Sequence, residues 1–130
     1  MYQYIGELYL LKLQVLSARE YFTKAYEGRK QVEGLEHPLT YASLFSIGKS
    51  YHMECYWRNQ LNYRENLGKA SDIIQSVHEG LFHLIGLGHP LCLEVTLYYG
   101  DFLLQYDRYE EAEKIFKRLS DYYHTILNPE

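Results

Sequence analysis

The feature that most restricts the fold of this chain is that it repeats itself. Gly34-Leu-Glu-His37-Pro38 returns downstream as Gly86-Leu-Gly-His89-Pro90, and each histidine stands 11 residues before a lone glycine, Gly48 or Gly100. A third such glycine, Gly6, opens the series, so the spacings are 42 and 52 residues. A small residue follows each glycine: Ala18 and Ala112 come 12 residues later, and Ala70 comes 22 later. The middle unit therefore carries ten extra residues, within Met53–Gly68, and the rest stays in register. Periods of this size mark arrays of supersecondary units that bury their apolar faces against one another.

Within each unit the apolar spacing is helical. The first reads Tyr2-x-x-Ile5-Gly6-x-x-Tyr9, then Ala18-x-x-x-Phe22-x-x-Ala25. The second reads Leu44-x-x-Ile47-Gly48-x-x-Tyr51, then Ala70-x-x-x-Ile74-x-x-Val77. The third reads Thr96-x-x-Tyr99-Gly100-x-x-Leu103, then Ala112-x-x-x-Phe116-x-x-Leu119. Steps of three and four place these residues on one face of a helix. Each unit is thus expected to be a hairpin of two amphipathic helices. Its glycine and alanine mark the places where two backbones approach too closely for a longer side chain.

The expected fold is all-α: an α-α superhelix of three antiparallel hairpins, the middle one lengthened by the insertion. The repeats run about 1–38, 39–90 and 91–130, as a single domain. The six helices are expected at about 2–14, 17–33, 39–58, 65–85, 91–106 and 109–126. Ser17-Ala-Arg-Glu20 reads as a capping box, Asp107 as a helix N-cap, and Gly34 and Gly88 as left-handed C-terminal caps. Pro38 and Pro90 suit the first turn of a helix, where a missing N–H costs nothing. On this reading His-Pro is punctuation that closes one hairpin and launches the next, with the histidine free to bond a helix end.

These residues resemble the tetratricopeptide repeat. The 42-residue period with Gly-x-x-His-Pro is similar to the long-repeat subclass of kinesin light chains and related scaffolds. The resemblance spans essentially the whole chain. Its third repeat also resembles the helical lobe that ends the SET-and-MYND methyltransferases, but nothing here resembles a SET or MYND domain. The family places asparagines just before the repeat glycine, to grip an extended peptide. Here those places hold Gln3 and Tyr4, Phe45 and Ser46, Leu97 and Tyr98. The basic and asparagine set that clamps a C-terminal carboxylate in chaperone-binding relatives is absent, as is a polar capping helix after the third repeat.

What the resemblance implies is a non-enzymatic scaffold that binds a peptide or helical segment of a partner in a concave groove. Alternatives are a regulatory lobe of a larger enzyme or motor adaptor, and a peptide-sensing bacterial regulator. The first helices of a solenoid line its concave face. By spacing, Gln3, Glu7, Phe45, Lys49, His52, Leu97, Asp101 and Leu104 point into that groove. The mixture suits a partner held by apolar anchors with charges setting register. Tyr56, Trp57 and Arg58, on the inserted segment, form a second candidate surface of hot-spot composition. Uncapped ends would allow self-association, and the chain could also be part of a longer one.

Other chemistries find little footing. The net charge is −4, with no basic cluster to suit nucleic acid. No apolar run reaches 18 residues, and the first residues lack a basic leader, so neither membrane insertion nor secretion is expected. Two isolated cysteines, Cys55 and Cys92, suggest a reducing cytoplasmic setting without a disulfide framework. Glu110, Glu111 and Glu113 precede Lys114, Lys117 and Arg118 as a solvated helix face would. The six histidines never take H-x-x-x-H spacing on one helix, so no metal, cofactor or catalytic role is expected.

Overall fold

The structure, a computed structural model, describes residues 1–11, 14–57 and 62–128, and of Leu11, Tyr56 and Trp57 the backbone alone. The described residues form six α-helices and no strand: α1 (Tyr2–Leu11), α2 (Val15–Glu33), α3 (Pro38–Trp57), α4 (Tyr63–Leu84), α5 (Pro90–Gln105) and α6 (Tyr109–Leu127). Each helix packs on the next in sequence, and α3 also meets α5. Among the described residues no helix is long and apolar enough to cross a membrane.

The three small-residue positions occupy equivalent places. A Cβ on Gly6 would lie 2.6 Å from the Phe22 ring, one on Gly48 2.8 Å from Ile73 Cγ2, and one on Gly100 2.8 Å from the Phe116 ring. Ala18, Ala70 and Ala112 are wholly or almost wholly buried. The glycine side of the odd-numbered helix thus rests on the alanine side of its successor, three times over. A side chain there would have to displace the Phe22 or Phe116 ring or the Ile73 side chain from its packed place.

The insertion lengthens both helices of the middle pair. α3 is described as far as Trp57, nine residues past Gly48, whereas α5 ends at Gln105, five past Gly100. α4 begins at Tyr63, seven before Ala70, whereas α6 begins at Tyr109, three before Ala112. α4 thus gains four residues, about one turn, and α3 as many within its described part.

Both His-Pro pairs cap helices in the same way. His37 Nδ1 accepts the Leu39 N–H and His89 Nδ1 accepts the Leu91 N–H, each at 3.1 Å. An orphan donor of the first turn is thereby satisfied by an imidazole in place of the usual hydroxyl or carboxylate. Gly34 closes α2 with φ +87° and its N–H on the Lys30 carbonyl.

Three local expectations are corrected. The capping box at Ser17 does not form: α2 starts earlier, at Val15 after Gln14, without a side-chain cap, because burying Val15 draws it into the helix. The left-handed residue after α4 is Gly86, φ +75°, and not Gly88; its N–H reaches back to the Leu81 carbonyl. Asp107 is not an N-cap for α6. It adopts φ 61°, and the N–H groups of Asp107 and Arg108 bond the carbonyls of Leu104 and Leu103. That pair of reverse bonds is a Schellman ending of α5, for which Asp tolerates the left-handed region better than most residues.

The apolar core is continuous from α3 to α6. Phe45, Val77, Leu81, Leu87, Cys92, Val95 and Leu119 form one cluster; Ala70, Ile74, Tyr99, Phe102, Leu103, Ala112 and Ile115 form a second. A smaller cluster of Ala18, Phe22 and Ile47 joins α2 to α3. Beside it runs a polar seam. Ser43, Ser46 and Ser50 stand on one side of α3, and Arg29, Gln3 and Arg19 bond them in turn. Cys55 and Cys92 are free and buried, and burial pushes both thiols up.

Candidate functional site

The α1, α3 and α5 helices are linked along one side by side chains predicted to line a groove. Gln3 Nε2 donates to Ser46 Oγ at 2.9 Å and to Glu7 Oε1 at 3.4 Å. Across α3, the Phe45 ring meets Tyr98 edge-on, with centroids 5.2 Å apart. His52 bonds both Tyr98 and Gln105 of α5. Gln3, Phe45 and His52 thus reach a neighbouring helix, and the eight residues do not share one exposure.

Phe45 and His52 differ from the sequence expectation. Phe45 is 3 % exposed and belongs to the core; His52 is 9 % exposed. Helix α3 has neighbours on several sides, and α5 closes over the face that spacing alone turned to solvent. Both act as the floor of the row. Lys49, half-buried, holds its ammonium 4.5 Å above the Phe45 ring centroid, a cation–π contact that positions a charge over that floor. Glu7, Leu97, Asp101 and Leu104 are exposed, and Gln3 is partly so. Arg58 and the side chains of Tyr56 and Trp57 lie outside the described residues.

The His52 ring sits in an aromatic setting. Phe102 is 4.9 Å away by centroids, Tyr98 5.6 Å and Tyr106 5.9 Å. Burial holds the imidazole below its ordinary range, against the Gln105 bond, which favours the charged form. In the neutral ring Nε2 donates to Gln105 Oε1 at 3.1 Å, leaving Nδ1 to accept from the Tyr98 hydroxyl. His52 therefore locks α5 against α3 and fixes the spacing of the row.

On α5, Leu97, Asp101 and Leu104 follow at i, i+4 and i+7, so they form one stripe. The two leucines are 43 % and 42 % exposed. An acid between two exposed leucines, with Lys49 on the neighbouring helix, offers apolar anchorage and charge of both signs. Sequence spacing missed the polar seam of α3, which Gln3 shares, although Thr40, Ser43, Ser46 and Ser50 recur at helical spacing and mark a polar contact face.

Among the described residues, no three His, Cys, Asp or Glu side chains converge to hold a metal ion. No family model, no curated protein and no solved structure matches the chain.

Proposed function

We propose that this chain is a non-enzymatic protein-interaction module, a tetratricopeptide-like solenoid of three hairpins that holds a helical or extended segment of a partner on the α1–α3–α5 side. The hairpin reading rests on the three repeated glycine contacts at Phe22, Ile73 and Phe116. The observation that carries the binding proposal is the Leu97–Asp101–Leu104 stripe, exposed beside a rigid aromatic floor. Apolar anchors on a surface held by packing need little reordering when a partner arrives. Lys49 and the acids Glu7 and Asp101 then set the partner's direction through charge.

The test is affinity capture followed by amine-reactive cross-linking at Lys49, with a double variant, Leu97→Asp with Leu104→Asp, run in parallel. Both leucines are already substantially exposed, so thermal unfolding should be little changed. Capture should fall at least about tenfold, the equivalent of losing one modest anchor. Undiminished capture by the double variant would remove this face from consideration.

A further inference from the structure

A cleft of about 410 Å³ lies between α4 and α6, with Phe82 of α4, Gly86 and Leu87 of the turn that follows, and α6 side chains as its walls. That is within the size range of small-ligand sites. Leu87, 7 % exposed, and the half-buried Phe82 and Tyr122 rings supply its apolar part. Two opposite charges, Arg118 and the exposed Asp121, line it as well. At i and i+3 of α6 their Cβ atoms are neighbours, about 5–6 Å apart. Yet Arg118 pairs with Glu79 and not with Asp121, whose carboxylate has no ion-pair or hydrogen-bond partner among the described residues.

The guanidinium is held in place before any ligand arrives. Its Nη1 donates to the buried His78 Nε2 at 3.0 Å and stands 3.5 Å from Glu79, and its carbon lies 4.3 Å from the Phe82 ring centroid. Those contacts occupy one nitrogen, so the N–H donors of Nε and Nη2 are left unused. That edge of the fork is the one that grips a carboxylate through two parallel bonds. The preceding junction, between α2 and α4, lacks this set. Counted from the alanines Ala18, Ala70 and Ala112, Ser76 stands where α6 has Arg118, and Lys30 where α4 has Phe82. The matching leucine of the turn, Leu35, is 60 % exposed. The combination therefore belongs to this one junction and is not a by-product of the repeat.

We propose that the cleft binds a free α-amino acid with an apolar side chain. Its carboxylate pairs with Arg118, its ammonium group with Asp121, and its side chain lies against Leu87, Phe82 and Tyr122. The adjacent charges of a zwitterion match a cation and an anion set one helical turn apart. Glu79 beside Arg118 opposes a bare anion, so a ligand that brings its own positive charge is preferred to a simple carboxylate. This site does not depend on the Leu97–Leu104 stripe.

The experiment is a ¹H–¹⁵N NMR titration of the whole chain at pH 7 with L-phenylalanine, with hydrocinnamate, which lacks the ammonium group, and with phenethylamine, which lacks the carboxylate. Saturable shifts are expected with L-phenylalanine at the amides of Gly86, Leu87, Asp121 and Tyr122, and both analogues should bind at least about tenfold more weakly. Asp121→Asn, at an exposed position, should leave the spectrum folded and weaken L-phenylalanine about tenfold, to the level of hydrocinnamate. Arg118→Lys keeps the charge without the fork and should weaken L-phenylalanine and hydrocinnamate alike. No saturable shift at these amides, an analogue that binds as tightly as L-phenylalanine, or undiminished binding by Asp121→Asn would overturn the proposal.

Discussion

Arg118 donates from Nη1 to His78 Nε2 at 3.0 Å, and this one bond decides which ring nitrogen of His78 carries the proton. A guanidinium only donates, so Nε2 must be bare and Nδ1 protonated. Nδ1 then donates to Thr96 Oγ1 at 3.0 Å, which in turn donates to the Cys92 carbonyl at 2.7 Å. His78 is fully buried, and the chain of bonds ties α4 to both α5 and α6. Arg118 is itself steadied by the Phe82 ring, 4.3 Å below its guanidinium carbon, and by Glu79 at 3.5 Å.

This arrangement makes stability depend on pH. Burial lowers the His78 pKa to about 4; the Glu79 carboxylate opposes that and the Arg118 charge adds to it. In the unfolded chain a histidine takes up its proton near pH 6.5. As pH falls from about 6.5 to about 4 the unfolded state gains a proton that the folded state refuses, so stability is lost across that window. The loss should reach about 2 kcal/mol, after discounting for relaxation around the ring. Urea unfolding followed from pH 7 to pH 4.5 measures it. His78→Gln should be less stable at pH 7 and should lose most of the slope. An unchanged slope in that variant would show that other groups carry the dependence.

The glycines predict opposite signs for the same substitution. Gly48→Leu should destabilise by about 3 kcal/mol, because its Cβ already meets Ile73 and Ile74 within 3.3 Å. Gly28→Ala should stabilise by roughly 0.5–1 kcal/mol, since it restricts the unfolded chain and meets nothing in the folded one. Thermal or urea unfolding of the two variants decides it. A neutral Gly48→Leu would mean that α3 and α4 are not in close contact at that point.

What could be read from spacing was local. Gly6, Gly48 and Gly100 report on the helix that follows each of them, within the same pair, and the helices were placed to within a few residues. Phe45 and His52 were misplaced because one glycine shows which face meets its own partner. It says nothing of the faces covered by α2 and α5. Cap positions at Ser17, Gly88 and Asp107 failed for a related reason: burial of Val15, and the reverse bonds into Leu103 and Leu104, outweighed local preference. The seam between Arg19 and Glu54 joins residues 35 apart in sequence, and no periodicity links them.

That seam gives the last prediction. Arg19 reaches Glu54 Oε1 at 2.5 Å and Ser50 Oγ at 2.9 Å, with its guanidinium carbon 3.6 Å above the Tyr51 ring centroid. Asn66 of α4 donates to the other oxygen of Glu54 at 2.9 Å. The two charged side chains are only 15 % and 14 % exposed, so water does little to screen them. Glu54→Gln leaves a buried guanidinium without its counter-charge and should cost about 3 kcal/mol. Arg19→Met should cost a similar amount. The double variant should cost less than the two together, by at least about 1 kcal/mol, because neither charge is left behind. The apolar cluster between α2 and α3 is small, so hydrogen exchange in either single variant should quicken first in α2, ahead of α5 and α6. Strict additivity, or loosening spread evenly over all six helices, would mean that the seam is incidental to how the first pair is held.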